Sequence, residues 1–246
     1  MSSISRREQP SPPERDRVRD VTAPIGLIVV AAGVAGMIAA ATLTGVSISP
    51  LVWYLARAAG FTLYLLLWLS VVTGLGLTTK LLDLIARRDD IWTLHRFTTE
   101  LAFVFLALHL IVLALDPSVA LGALGVLVPF TTNVRQPWTD IGILTGWGMI
   151  ALALSFSLRR LLGQRGWRLL HYSAFPLWIM ALVHGIGAGT DTRQLWALFL
   201  YLSTTAVVFF LTVYRLLMAI FSRRSLVAPV RSEGASLKRE QLVDQG

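Results

Sequence analysis

Six stretches of this chain, 24–46, 51–78, 92–115, 139–158, 167–187 and 194–221, each run for about twenty residues or more with at most two charged side chains. A hydrocarbon core roughly 30 Å thick takes about 20 helical residues to cross, so every run is long enough to span one. Inside lipid no water satisfies the backbone, and runs without strict apolar–polar alternation answer that by closing their hydrogen bonds as α-helices. With 55% hydrophobic and 15% charged residues in 246, the composition excludes a single water-soluble domain. The expected fold is an all-α integral membrane protein, a six-transmembrane-helix bundle occupying 23–221. Polar tails, 1–22 and 222–246, flank it and are expected to be disordered. The first run follows more than twenty polar residues and is too long for the core of a signal peptide, so it is expected to be retained as a span.

Lys and Arg orient the bundle. The N-terminal tail, the second and fourth connections and the C-terminal tail together hold 17 of them, whereas the connections on the opposite face hold only Arg135 and Arg193. The positive-inside rule therefore predicts both termini in the cytoplasm, in a multi-pass protein of the cell membrane. The net charge of +8 serves orientation and attraction to anionic lipid, and its scatter over four segments argues against nucleic acid as a partner. Trp53, Trp138 and Trp196 fall at predicted outer ends and Trp92 and Trp167 at inner ends, as an interfacial aromatic belt requires.

The chain has four histidines, all within the apolar runs: His95 and His109 in the third, His171 and His184 in the fifth. The intervals of 14 and 13 residues correspond to rises of roughly 21 and 20 Å. Runs three and five cross in the same direction, so His95 and His171 lie near the inner face and His109 and His184 near the outer one. Imidazole is the usual nitrogen ligand of heme iron, and two helices offering histidines at two matched depths can clamp two hemes, one above the other. One metal ion held by all four is excluded by the separation of the pairs. A lone intramembrane histidine is more often an interhelical hydrogen-bonding partner, and matched depth does not decide by itself. Azimuth is more demanding. Fourteen residues return to within about 40° of the starting face, but thirteen miss by about 140°. A distortion is needed between His171 and His184, and Pro176 lies there; a kink with local 3₁₀ tightening would bring thirteen residues close to four turns.

The stretch LHRFTTELAFVFLALH, the run SFSLRRLLGQRGWRLLHYSAFPLWIMALVH and the second-run LARAAGFTLYLLLWLSVVTGLGL resemble the ferric reductase-like transmembrane domain. That superfamily includes ferric reductases, the membrane half of NADPH oxidases and the heme-binding membrane subunit of the bacterial periplasmic methionine-sulfoxide reductase system. The resemblance covers about 50–215 and implies two b-type hemes passing electrons across the membrane. His95 with His171 would hold the inner heme and His109 with His184 the outer. It further implies a cytoplasmic flavoprotein or quinol as donor, with FMN, FAD or quinone entering through a partner. The acceptor would be an extracytoplasmic protein, such as a periplasmic reductase, or ferric ion. Oxidases of the superfamily continue into a flavin- and nicotinamide-binding module, whereas the roughly 25 residues after the sixth run are expected to be too few for one. The chain is thus expected to be the electron-transfer subunit of an oxidoreductase system. The alternatives are a ferric or oxygen reductase acting directly at the outer heme, and a small transporter using the histidines for proton coupling.

Other polar residues in the runs have narrower claims. An unpaired guanidinium at Arg57 would be costly within the second run. A heme propionate would suit it, as the resemblance to NADPH oxidases also implies, and snorkelling to the outer interface is the alternative. Arg96 and Arg168 flank the inner histidines and are propionate candidates, although positive-inside residues need no such role. Glu100 is the acid well inside a span, either paired with a base or relaying protons. Segment 117–138 is apolar but too short to span and is expected to lie at the outer interface, capping the distal heme or docking an acceptor. GIGAG at 185–189 lacks a preceding strand and is expected to end a helix rather than bind a nucleotide. Without cysteine, disulfides, thiolate redox chemistry and iron–sulfur ligation are all excluded.

Overall fold

A computed structural model describes residues 32–33, 36, 40, 43, 49–79, 81–116, 118–119 and 121–243. The tail 1–22 and most of the expected first span, 24–46, lie outside the described residues. The remainder is helical: α1 (Ser49–Thr79), a 3₁₀ turn (Leu81–Leu84), α2 (Arg88–Leu115), α3 (Gly122–Leu127), α4 (Trp138–Ser157), α5 (Arg159–His171), α6 (Ala174–Ala188) and α7 (Leu195–Val243), with no strand among the described residues. Pro50–Thr79, Arg88–Leu115, Trp138–Ser157 and Leu195–Phe221 are each long and apolar enough to cross a membrane, and α5 with α6 adds a fifth such element bent by 41°.

The connections explain where the helices stop. Arg88 donates from Nη2 to the Leu77 carbonyl at 2.9 Å, satisfying an end carbonyl of α1. Asp89 and Asp90 then open α2, where carboxylates favour the positive end of the helix dipole. After α2, Asp116 Oδ1 accepts from the Ser118 backbone N–H at 2.9 Å and turns the chain. Buried Asp140, in the first turn of α4, accepts the Phe130 N–H at 2.7 Å and anchors the preceding loop to the helix.

α1 is the central element. Its Val52, Ala56 and Ala59 pack against Leu108 and Val112 of α2. Lower down, Val71 and Leu75 pack with Trp178 of α6 and Val208 and Leu211 of α7. These pairings run α1 antiparallel to α2 and α6 and parallel to α7, so α2 and α6 point the same way. Large apolar side chains such as Phe199 and Phe209 face outward, as helices solvated by lipid require.

Two elements depart from the sequence reading. The expected fifth span, 167–187, is two helices: the bend falls at Tyr172–Ser173, and the amphipathic α5 extends back to Arg159. Within α5, Gly163 sits at φ 69°, which a glycine adopts without a Cβ penalty, so the helical winding is interrupted there. The sixth span continues as helix to Val243, through the tail expected to be disordered. That tail is rich in Leu, Arg, Lys, Glu and Gln, which lose little rotamer freedom in a helix.

Candidate functional site

The four histidines come together as two pairs at two levels. At one level the rings of His95, on α2, and His171, the last residue of α5, have centroids 6.3 Å apart and planes inclined at 77°. At the other, His109 of α2 and His184 of α6 both line a cavity of about 520 Å³. His171 and His184 are thus on different helices, α5 and α6, joined through the Tyr172–Ser173 bend. Pro176 lies in the first turn of α6, four residues after Tyr172, where its ring displaces the carbonyl a continuous helix would use. Three i→i−3 bonds tighten the bend: Tyr172 N to Leu169 O at 3.2 Å, Ser173 N to Leu170 O at 2.9 Å and Phe175 N to Tyr172 O at 3.2 Å.

Three of the rings are held through Nδ1. His95 donates to the Ser70 carbonyl at 2.9 Å, His109 to the Ala56 carbonyl at 2.9 Å and His184 to the Trp138 carbonyl at 2.8 Å. A carbonyl only accepts, so each Nδ1 carries the proton and each Nε2 keeps its lone pair. This is the tautomer a metal-ligating histidine needs, with the ring direction fixed by the same bond. Around His95 the contact is reinforced by hydroxyls: Thr73 Oγ1 lies 3.2 Å from Nδ1, and Ser70 Oγ meets Thr99 Oγ1 at 2.8 Å. His171 has no hydrogen bond to its ring among the described residues; it stacks on Trp167 at 5.0 Å between centroids.

Metal ligation fits this arrangement on two further observations. Two imidazoles on opposite sides of one metal ion, with metal–nitrogen bonds of about 2.0 Å, hold their centroids about 6 Å apart. The His95–His171 centroid distance of 6.3 Å is of that size. At the outer level the cavity is largely apolar, but Arg57 lines it and the buried Nε of Arg57 has no hydrogen-bond partner among the described residues. An N–H left without an acceptor in such a place suits an anionic group entering the cavity. No group of three or more His, Asp or Glu side chains that could hold a metal ion by itself converges among the described residues.

The other singled-out residues are distributed unevenly. Arg57 pairs through Nη2 with Asp191, on the loop between α6 and α7, and packs near the faces of Trp53 and Tyr54. Arg135 also lines the cavity and donates to the Ala188 carbonyl at 2.9 Å. Arg96 and Glu100 form an i,i+4 ion pair at 3.5 Å, both about half exposed, on the outside of α2. Arg168 is exposed and makes no side-chain hydrogen bond or ion pair among the described residues. The described part of segment 117–138 folds over the His109–His184 cavity: Ser118, Val119, Leu121, Val126 and Val134 line it. The 185–189 glycines end α6, with Gly189 as its C-cap.

Asp191, Arg135 and the carbonyls of Ala56, Ser70 and Trp138 did not stand out in the sequence. The first two sit in loops, and a backbone carbonyl has no signature in composition. Searched against protein families, curated proteins and solved structures, the chain matches none of them.

Proposed function

We propose that this chain is a b-type di-heme membrane cytochrome of the ferric reductase-like kind. It would carry electrons from a cytoplasmic flavoprotein or quinol to an extracytoplasmic acceptor. The reading includes six spans with both termini inside, supported by the six apolar runs and by the 17-to-2 division of Lys and Arg. The observation that carries it is the pairing of four intramembrane histidines at two levels, three of them locked in the ligating tautomer by backbone carbonyls. A heme between each pair would supply a one-electron carrier at each depth.

The chain's own residues do the rest. His95 and His171 present ligands at the inner level, and His109 and His184 at the outer. Ala56, Ser70 and Trp138 fix ring orientation through Nδ1–H and raise ligand basicity. Arg57, with its unpartnered Nε, and Arg135 offer positive charge to anionic substituents at the outer cavity. Apolar lining residues such as Leu106, Leu110 and Met149 keep water from the outer site.

A pyridine hemochrome assay on purified protein tests the reading. Two b-type hemes per chain are expected, with sharp reduced-minus-oxidised bands; a spectrum without such bands would overturn it and favour a proton-coupled transporter. In sided vesicles the acceptor should be reduced from the face bearing Trp53 and segment 117–138. Direct, partner-free reoxidation by ferric chelate or oxygen would move the terminal acceptor from a protein to a small molecule.

A further inference from the structure

The three carbonyls that hold histidines share a neighbour. Four residues after Ala56 comes Gly60, four after Ser70 comes Gly74, and four after Trp138 comes Gly142. In an α-helix the side chain at position n+4 leans back over the turn that carries the carbonyl of residue n. Any Cβ there stands between that carbonyl and an approaching ring. The structure gives the distances: a Cβ built on Gly60 would lie 3.1 Å from His109 Cε1, one on Gly74 would lie 3.4 Å from His95 Cε1, and one on Gly142 would lie 2.5 Å from His184 Cε1 and Nδ1. The imidazoles of His109 and His184 crowd the place where a side chain would be, that of His95 lies at contact distance from it, and each N–H takes the carbonyl's second lone pair.

We propose that Gly60, Gly74 and Gly142 are positioning residues for the axial histidines. Each is the empty place in a repeated seat made of a helical carbonyl and a glycine one turn later. His171 is the one ligand without such a seat. The inference rests on the di-heme reading above and deepens it.

The spacing supports a built device over three coincidences. His95 and His109 are 14 residues apart on α2, and the antiparallel α1 repeats that interval in both Ser70/Ala56 and Gly74/Gly60. Fourteen residues return nearly to the same helix face, so one face of α1 meets one face of α2 at both levels. On α4 the device stops after one copy. Moving on from Gly142 by the 13 residues that separate the second histidine pair leads to Ser155, whose side chain is present and whose hydroxyl donates to the Leu152 carbonyl at 2.6 Å. Among the described residues no fourth seat lies at that level, and His171 stacks on Trp167 instead.

Helix propensity makes the test discriminating. A glycine-to-alanine change inside a helix ordinarily stabilises it, so loss of ligation without loss of helix identifies a seat. Gly60→Ala, Gly74→Ala and Gly142→Ala are compared in the full chain with Gly146→Ala. That control lies on the same helix as Gly142, and its added Cβ would meet only Leu106 Cδ1 at 3.7 Å. The readouts are heme per chain, the low-spin ferric EPR signals and the two midpoint potentials. Loss of a hydrogen-bonded support to a ligand commonly costs about 10- to 100-fold in affinity. Heme retention at the outer site should fall by that order in Gly142→Ala, less in Gly60→Ala, while Gly74→Ala perturbs the inner signal mildly and Gly146→Ala matches wild type.

If Gly142→Ala does not fold, the order of Gly60→Ala against Gly74→Ala and Gly146→Ala still decides. Wild-type protein with two hemes, and seat variants with unchanged signals, would overturn the seats and leave the di-heme reading intact. Equal damage in all four variants would also overturn the seats, as general packing loss. Wild-type protein without heme would overturn the di-heme reading and this inference together.

Discussion

Arg57 and Asp191 meet at the end of the bundle where α1 begins, a guanidinium from α1 against a carboxylate from the loop that follows α6. Asp191 is the more buried of the two, with 13% of its side chain exposed against 30% for Arg57. The pair therefore ties the α6–α7 loop to the central helix beside the cavity. Removing one partner of a poorly solvated pair costs more than the pair contributes, because the remaining charge is stranded.

Arg57→Ala should accordingly be the more damaging of the two single changes. It leaves the Asp191 carboxylate without its base and also removes the packing against Trp53 and Tyr54. A loss of about 1–3 kcal/mol is expected, read as a lowered Tm in detergent. Asp191→Asn should cost less, since Arg57 keeps both aromatic faces. The reverse order would mean that the loop, not the arginine, carries the stability.

The histidines should fail in pairs. His109→Ala and His184→Ala are expected to abolish the same spectroscopic site, and His95→Ala and His171→Ala the other. Low-temperature spectra of the four variants check this. Loss of one common site by His95→Ala and His184→Ala would contradict the pairing by depth.

Pro176→Ala restores an N–H at a position where the bend now leaves the Tyr172 carbonyl to Phe175. The new donor can draw that carbonyl back into an i→i−4 bond and straighten the joint between α5 and α6. His171 would then rotate relative to His184, and one of the two ferric signals should shift while the other stays. Two unchanged signals would show that the bend is held by the surrounding packing rather than by the proline.

On the di-heme reading, His171, the histidine without a carbonyl partner, should be the weaker ligand. Exogenous imidazole or cyanide is expected to displace His171 at concentrations about 10- to 100-fold below those needed at the outer site. Titration followed by EPR reads the two sites separately, and equal sensitivity at both would sink the expectation.

Much of the helical layout was legible from run length alone. α1, α2 and α4 begin and end within about four residues of the apolar runs, and α7 begins within one, because lipid thickness and backbone satisfaction leave few other solutions. The distortion between His171 and His184 was legible too, since thirteen residues cannot return to one face, although its place at Tyr172–Ser173 depends on which carbonyl the Pro176 ring displaces. Arg57 was singled out for its cost in lipid, but its partner Asp191 was not, because a loop acid carries no sign of where the loop will fold. The carbonyl partners of the histidines depend on which helices become neighbours. One trace of them was nevertheless present: Gly60 and Gly74 repeat in the second run the 14-residue interval of His95 and His109 in the third.

That shared interval turns α1 into a ruler. Both rings of α2 are referred to carbonyls of one continuous rod, about 21 Å apart along its axis, so the vertical gap between the two levels does not depend on any loop. Sliding α2 along α1 would unseat both histidines at once, and a single residue inserted between positions 60 and 70 would turn one carbonyl by about 100° away from its ring. A chain built this way tolerates long or short connections on either face of the membrane, yet admits no change in the count of residues between its two glycines.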